Sequence, residues 1–300
     1  MAIRGKIIKS ISGFYEVHTG TEVYRCRAKG VFRSIGIKPL VGDDVLMDSV
    51  DELSDPKEGN VVQILPRRNE LVRPSVANID QAMLIFSITH PVPSYNMLDR
   101  FLITMAETGL PAILVFSKSD IASAAEKEEL RTIYEGCGCR VCFISTALQE
   151  GIDAVTELLG GRTTVFAGPS GVGKSTLINL LCPGAMMETG ELSRRIERGK
   201  NTTRHIELFS AGTDTYVMDT PGFTSLFLTS TKAEDLRNYY PEFAEYAGQC
   251  RFNGCCHMEE PDCAVKKAVE AGAVSKIRYG NYRELFLELK DRKPVYMHHQ

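Results

Sequence analysis

One segment of the chain, GPSGVGKS at positions 168–175, restricts the possible folds more than any other. It matches G-x-x-x-x-G-K-[ST], the phosphate-binding loop of nucleoside triphosphatases, which joins a strand to a helix. Residues 163–167, TTVFA, have the pattern of a short buried strand, and residues 175–181, STLINLL, that of a helix with an apolar face. The sequence therefore predicts an α/β domain built around this loop.

The residue types in this loop suit a triphosphate bound with magnesium. Glycines let successive backbone N–H groups turn inward around phosphate oxygens, and the following helix N-terminus adds a partial positive charge. Lys174 would reach the β- and γ-phosphates, and the Ser175 hydroxyl would bind Mg²⁺. The predicted phosphate contacts are Gly168, Pro169, Ser170, Gly171, Val172, Gly173, Lys174, Ser175 and Thr176.

Two segments after the loop are candidates for sensing the γ-phosphate. The motif DTPG at 219–222 follows an apolar strand, so Asp219 would hold magnesium through water and the Gly222 N–H would meet the γ-phosphate. The segment GKNTTRH at 199–205 offers Thr202 to the nucleotide and Thr203 to magnesium, although the motif does not distinguish the two threonines. Lys174, Thr203 and Gly222 are the predicted catalytic residues.

Two segments before the loop predict recognition of guanine. Ser117, Lys118, Ser119 and Asp120 follow an apolar strand and resemble the N/T-K-x-D motif, whose carboxylate suits the N1–H and N2–H₂ donors of guanine. Ser117 replaces the usual asparagine, and its hydroxyl makes fewer tethering hydrogen bonds than an amide, which predicts a reduced nucleotide affinity. The segment that would meet the guanine O6 atom consists of Ser145, Thr146 and Ala147.

The order of these motifs predicts a circular permutation. In ordinary GTPases the phosphate loop comes first, whereas here both guanine motifs precede it. Such a rearrangement is physically tolerable because domain termini tend to be exposed and close together, so old ends can join and a new break can open in a surface loop. The chain would then pass directly from DTPG into whatever lies on its C-terminal side.

A cysteine and histidine cluster lies there, within residues 250–263. Thiol and imidazole ligands at short spacings are typical of a tetrahedral zinc site, and a closed Cys₃His set would make the zinc structural. The residues offered are Cys250, Cys255 or Cys256, His257 and Cys263, and spacing alone does not choose between the two adjacent cysteines. With nine cysteines and no signal peptide, the pattern favours free thiols and metal binding over disulfides.

The first 75 residues have the pattern of a separate β domain. Short alternating segments with glycine turns predict a small OB-like barrel, a fold that commonly binds oligonucleotides. Residues 24–33 carry four cations and no acid, which suits a strand that meets phosphate, and equally a solvated strand face. We predict an α/β protein with domains at 1–75 (OB-like barrel), 76–228 (circularly permuted GTPase domain) and 229–300 (helical zinc-binding domain), with 66–74 as a linker.

Taken together, these segments resemble the RsgA (YjeQ) family of circularly permuted GTPases that depend on the small ribosomal subunit. The resemblance extends over the whole chain and is most specific at 168–175, 199–204, 219–223 and 250–269. It implies zinc ligands in the pattern C-x4-C-x-H-x5-C, which selects Cys250, Cys255, His257 and Cys263. It also implies GTP hydrolysis on the small subunit late in assembly, with one structural zinc, magnesium bound with GTP, and rRNA as a partner.

The composition is compatible with this interpretation. The net charge of −3 says little about partners, and no apolar run approaches the roughly 20 residues needed to span a membrane. We expect a cytoplasmic, monomeric GTPase without a membrane partner. Phe223 stands where many GTPases have a water-orienting glutamine, so hydrolysis should be slow without the subunit. Two alternatives remain at this stage: a P-loop ATPase or nucleotide kinase, and a zinc-stabilised RNA-binding protein in which nucleotide is only a structural ligand.

Overall fold

The protein is described by a computed structural model that covers residues 2–30, 32, 36–71, 74–185, 187, 206–219, 228 and 231–292. Within these ranges the chain forms a five-stranded barrel, a six-stranded sheet with helices on both faces, and a C-terminal helical module. No helix in the described ranges is both long and apolar enough to cross a membrane.

The barrel contains strands β1 Ile3–Ile11, β2 Phe14–His18, β3 Val23–Ala28, β4 Asp44–Asp51 and β5 Lys57–Ile64. They close in the order β1-β2-β3-β5-β4, with β3 and β5 parallel and the other neighbours antiparallel. Alternate side chains point inward because successive residues of a strand face opposite sides. The predicted small barrel is confirmed, with Val17, Cys26, Val45, Met47 and Val61 fully buried inside it.

The segment 66–74 after the barrel, which was predicted to be a linker, makes specific contacts where the structure describes it. Strands β6 Glu70–Leu71 and β7 Val76–Ala77 pair there, and the Arg67 guanidinium donates to both carboxylate oxygens of the buried Asp43 at 2.7 and 2.8 Å. Gly42 has φ +94°, and a Cβ at this position would lie 2.0 Å from the Ala77 carbonyl oxygen. A paired arginine and close backbone packing attach this junction to the barrel, although its proline and charged residues are typical of a linker.

The sheet of the second unit has the order β10-β9-β8-β11-β13-β12, and β12 alone is antiparallel. Its strands are β8 Gln81–Ser87, β9 Ala112–Ser117, β10 Arg140–Phe143, β11 Thr163–Ala167, β12 Leu208–Gly212 and β13 Thr215–Asp219. The helices are α1 Tyr95–Thr108, α2 Ala124–Tyr134, α3 Ile152–Leu159 and α4 Lys174–Leu181. Strands and helices therefore alternate as the sequence predicted.

Both faces of the sheet are covered, so the central strand β8 is buried along its whole length. Leu84 and Phe86 pack with α1, where the Phe86 and Phe101 ring centroids are 5.8 Å apart. Ile85 belongs to the opposite core, together with α3 and α4. The chain runs outward from β8 to β10 and then returns to the other side of β8 as β11. Ligands of open α/β sheets bind at the carboxyl edge where the strand order reverses in this way.

The C-terminal module consists of a 3₁₀ segment Ala233–Tyr239 and helices α5 Ala244–Ala247, α6 Ala264–Glu270 and α7 Lys276–Asp291. Ile103 of α1 is part of its apolar core. Arg278 of α7 is nearly fully buried between Asp99 of α1, at 2.5 Å, and Glu242 of the module, at 2.7 Å. The module is therefore held against α1 by apolar packing and by a buried ionic network.

Candidate nucleotide site and metal centre

The carboxyl ends of five strands meet at one edge of the sheet. Backbone register pairs Ser117 with Ser87, Ala167 with Leu84 and Asp219 with Phe166. The strands β8, β9, β11 and β13 are therefore parallel and end at the same edge of the sheet, with β8 and β9 reaching three residues beyond β11. Phe143, at the end of β10, is paired with the residue before Ser117. The structure thus brings the guanine segments, the phosphate loop and the first residue of DTPG to the edge where a nucleotide is expected.

The phosphate loop leaves β11 through a backbone conformation that requires glycine. Gly168 has φ +144°, and a Cβ at this position would lie 2.0 Å from the Ile85 carbonyl oxygen. The Lys174 ammonium donates to the Gly168 and Pro169 carbonyl oxygens at 2.9 and 2.7 Å. The lysine therefore lies across the loop, and Ser175 follows it in the first turn of α4.

The guanine segment is tied directly to this loop. The Ser117 hydroxyl donates to the Val172 carbonyl oxygen at 2.6 Å, and the Lys118 ammonium donates to the Gly171 carbonyl oxygen at 2.9 Å. Ser117 is 4% exposed, so its single donor makes a buried tether where a side-chain amide would offer two donors. Asp120 is exposed in the 3₁₀ turn Ser119–Ile121 that follows.

The second guanine segment lies next to the first. The Ser119 N–H donates to the Ile144 carbonyl oxygen at 3.0 Å, which connects the two segments through their backbones. The Ser145 hydroxyl accepts the Leu148 N–H at 3.1 Å and so shapes the turn that leads towards α3. Thr146 is half-buried and Ala147 is exposed. This turn lies at the same sheet edge as Asp120.

One contact at this edge was missed by the sequence analysis. The Lys118 ammonium also donates to the His90 carbonyl oxygen at 2.5 Å, in the segment between β8 and α1. Because the acceptor is a backbone carbonyl, no residue type signals it. The contact follows from the position of β8 beside the phosphate-loop strand β11, and a single sequence does not reveal the order of strands in a sheet.

Part of the predicted site lies outside the described residues. The predicted roles of four residues therefore remain predictions: Thr202, Thr203, Gly222 and Phe223. Asp219 is described at the end of β13 and is half-buried.

The structure brings together the four zinc ligands that were predicted. One ligand atom each from Cys250, Cys255, His257 and Cys263 lies within 4.8 Å of all the others. The Cys250 and Cys263 sulfurs are 3.9 Å apart, and the His257 Nδ1 atom is 3.6 and 3.4 Å from them. Zinc–sulfur bonds of about 2.3 Å at tetrahedral angles would put two sulfurs about 3.8 Å apart, so these residues fit a zinc ion.

Cys256 is not part of the cluster. Its sulfur faces the Gly254 carbonyl oxygen at 3.7 Å, and its backbone N–H donates to Glu260 at 2.7 Å. The Tyr282 hydroxyl donates to the Cys256 carbonyl oxygen at 2.5 Å, and the Tyr279 hydroxyl to the His257 carbonyl oxygen at 2.7 Å. Side chains of α7 and of Glu260 thus fix the loop backbone and direct Cys255 inward.

Burial affects the ionisation of the cluster. It raises the pKa of the Cys255 thiol to about 12 and lowers the pKa of the His257 imidazole. Buried thiolates are costly unless a cation compensates their charge, and a zinc ion supplies that compensation. The donor set therefore suits a soft dication.

The barrel presents a basic aromatic surface on β2 and β3. Arg25 and Arg27 are exposed on alternate positions of β3, and their guanidinium carbons lie 4.1 and 4.9 Å from the Phe14 ring centroid. Tyr24 and Cys26, at the alternate positions of the strand, point into the barrel. Cations stacked on an aromatic ring at a strand surface are suited to contacts with phosphates and bases.

Comparison with known proteins gives consistent results over the full chain. Residues 64–229 match the RsgA GTPase family model, and residues 4–59 match the model of the RsgA N-terminal domain. The protein named small ribosomal subunit biogenesis GTPase RsgA in Agathobacter rectalis is 50% identical to this chain, over 96% of this chain and 99% of the relative. The protein of the same name in Alkaliphilus metalliredigens is 44% identical, over 97% of this chain and 99% of the relative.

Two solved structures are similar throughout. YloQ, described as a circularly permuted GTPase, has a TM-score of 0.76 and 38% identity over 99% of this chain and 98% of its own. YjeQ from Thermotoga maritima has a TM-score of 0.79 and 32% identity over 98% of this chain and 100% of its own. The predicted fold class is confirmed by these similarities.

Proposed function

This chain belongs to the RsgA GTPase family, and we propose that it hydrolyses GTP to GDP and phosphate on the small ribosomal subunit during the last stages of that subunit's assembly. The proposal rests above all on one observation: the two guanine segments and the phosphate loop adjoin at one sheet edge, although they occur in permuted order in the chain. The relatives' names refer to the same activity and the same partner.

We propose that the phosphate loop holds the triphosphate. When nucleotide is bound, the Lys174 ammonium would exchange its carbonyl partners for β- and γ-phosphate oxygens, and the loop N–H groups would surround the phosphates. Ser175 would bind magnesium directly, Asp219 would hold it through water, and Thr203 would complete its coordination. The magnesium supplies charge compensation on the leaving phosphate oxygens.

Guanine recognition is assigned to the segments at 117–120 and 145–147. Asp120 is exposed at the edge, so its carboxylate is accessible to the N1–H and N2–H₂ donors of the base. Adenine offers no matching pair of donors. Lys118 is anchored at its tip by two backbone carbonyls, which leaves its methylene stem in place to lie along the base.

The remaining parts of the chain are assigned to partner binding. We propose that the basic surface around Phe14, Arg25 and Arg27 contacts rRNA, and that a structural zinc at the Cys₃His cluster stabilises the C-terminal module. The division into domains at 1–75, 76–228 and 229–300 is retained as a proposal, as are a monomeric state and a cytoplasmic location.

Two measurements test these assignments against the alternatives. A P-loop ATPase or nucleotide kinase would bind ATP as well as GTP, so a competition assay between the two nucleotides distinguishes it from this proposal. A protein that keeps nucleotide only as a structural ligand would show no turnover with or without purified small subunits. A strong preference for GTP and turnover that rises with added subunits are the expected results.

A further inference from the structure

The turn between β4 and β5, with the strand ends beside it, exposes apolar side chains at one end of the barrel. We call residues 50–56 the acidic hairpin. Leu53 at its tip is 98% exposed and Val50 is 62% exposed, while Val23 on the neighbouring strand β3 is 41% exposed. Single exposed apolar residues are ordinary, but three at one end of a small barrel form a potential contact surface.

The tip of the acidic hairpin is ordered by its own hydrogen bonds. The Asp51 carboxylate accepts the backbone N–H groups of Leu53 at 2.9 Å and of Ser54 at 3.2 Å. The Ser54 hydroxyl donates to the Pro56 carbonyl oxygen at 2.9 Å. These hydrogen bonds restrain the tip. Little backbone entropy of the hairpin would therefore be lost when a partner binds.

Grooves lie on both sides of the hairpin. One, of about 680 Å³, runs between the tip and β3. Its lining includes the apolar Val23 and Leu53, and its charged residues are four carboxylates and two cations: Glu16, Glu22, Glu52, Asp55, Arg25 and Lys57. The other, of about 610 Å³, is lined by Ile3, Val50 and Glu52 among others. Glu52 borders both grooves, so each groove has a carboxylate beside an exposed apolar side chain, and carboxylates outnumber cations in both.

The charge of this end contrasts with that of the basic surface. Residues 48–58 contain five carboxylates and one cation, Lys57. Lys57 is paired with Glu22, so its charge is already compensated within the barrel. Neither Glu52 nor Asp55 forms an ion pair with any residue in the described part of the chain. The uncompensated charge around Leu53 is therefore negative.

We propose that the acidic hairpin docks a cationic polypeptide segment with an apolar anchor, supplied by the protein component of the small subunit. The proposal rests on the proposed function, because it assumes that the subunit is the partner. Leu53 would contact the apolar anchor, and Glu52 and Asp55 would face Lys or Arg side chains. RNA is disfavoured at this end, because its phosphates would meet uncompensated carboxylates, and the basic surface at β2 and β3 offers it a better site.

The test compares intact subunits with RNA alone, using the full-length protein at one fixed salt concentration. Two variants are made, Leu53→Ser and the double variant Glu52→Lys with Asp55→Lys. Affinity is measured for purified small subunits and for small-subunit rRNA stripped of protein. We expect each variant to bind subunits about tenfold more weakly, since both apolar anchors and facing charges contribute at interfaces. Affinity for the stripped rRNA should stay within about twofold of the unchanged protein.

A matched control reverses two exposed charges elsewhere. Glu129→Lys on α2, combined with Glu135→Lys directly after that helix, makes the same change in net charge, and it should not weaken subunit binding. Affinity for stripped rRNA reports on folding of the barrel, because the proposed rRNA contacts Phe14, Arg25 and Arg27 lie on it, and intrinsic GTP turnover reports that the nucleotide site is intact. Unchanged subunit affinity overturns the proposal. Tighter binding of the charge-reversed variant to both subunits and stripped rRNA also overturns it, because that result would place RNA at the hairpin. Self-association of the unsubstituted protein that Leu53→Ser abolishes overturns it as well, because the hairpin would then contact a second copy of this chain. If the protein without substitutions does not bind small subunits, the proposed function is overturned as well.

Discussion

Replacing Arg278 by methionine should loosen the C-terminal module from the GTPase domain. The Arg278 guanidinium is 2% exposed, contacts Asp99 at 2.5 Å and Glu242 at 2.7 and 3.1 Å, and lies between the rings of Tyr134 and Tyr240. Methionine fills much of the same volume without the charge. The substitution therefore leaves two carboxylates buried between the domains without their cation.

The magnitude follows from the cost of those carboxylates. Removing one partner of a buried ion pair costs about 3–5 kcal/mol. We therefore expect the opening free energy of the module to fall by about 4 kcal/mol at pH 7. Hydrogen exchange of the α7 amides measures this quantity directly.

The pH dependence has a definite sign. Burial raises the pKa of Asp99 to about 6, against the lowering effect of Arg278, so protonation favours the folded state. The contribution of this carboxyl to stability is therefore present below about pH 4 and is lost as the pH rises to about 6. Without Arg278 the pKa rises further. The penalty of the substitution should then shrink by up to about 1.4 kcal/mol per pH unit between pH 8 and 6.

The same helix supplies a matched control. Arg283 forms an exposed ion pair with Glu259 at 3.1 Å, so Arg283→Met should cost less than about 1 kcal/mol and show little pH dependence. Equal costs for Arg283→Met and Arg278→Met, or a penalty for Arg278→Met that grows as the pH falls, would refute the reasoning. The first result would mean that the buried network contributes no more than a surface pair.

Three further predictions concern the nucleotide site and the metal centre. Asp120→Asn should abolish the preference for GTP over ATP in competition binding, because an amide cannot accept both guanine donors; a retained preference would place guanine recognition elsewhere. Ser117→Ala should weaken GTP binding, measured by titration, by about 1 kcal/mol through loss of the buried tether to Val172, and an unchanged affinity would show that the tether is not used. Cys263→Ser should reduce the zinc content and lower the melting temperature of the C-terminal module. Cys256→Ser should change neither, since the Cys256 sulfur lies outside the cluster, and similar losses in both variants would contradict the ligand assignment.

The parts of the fold that depend on local sequence were predictable. The phosphate loop is defined by residues 168–175 and by the strand and helix that adjoin it. The cysteine spacing indicated a metal site, but the choice of Cys255 over Cys256 needed either the family resemblance or the hydrogen bonds that orient the loop.

Features created by distant contacts were not predictable. Arg278 has the sequence appearance of an exposed helix residue, and its burial depends on Asp99, which lies 179 positions earlier. The junction after the barrel was predicted as a linker from its proline and charged residues. The ion pair of Arg67 with Asp43 joins residues 24 positions apart, so local sequence does not reveal it. In both cases a charged side chain is buried because a partner from another element compensates it, and a single sequence does not show which elements meet.

The central claim is most directly tested by GTP turnover of the full-length protein at saturating GTP, with and without purified small ribosomal subunits. Lys174→Ala serves as the inactive control, because it removes the positive charge at the phosphates. We predict slow turnover of the protein alone, a rise of at least about tenfold when subunits are added, and no such rise for the variant or with ATP. Turnover that is unchanged by subunits, or that proceeds equally with ATP, would contradict a GTPase that acts on the small subunit.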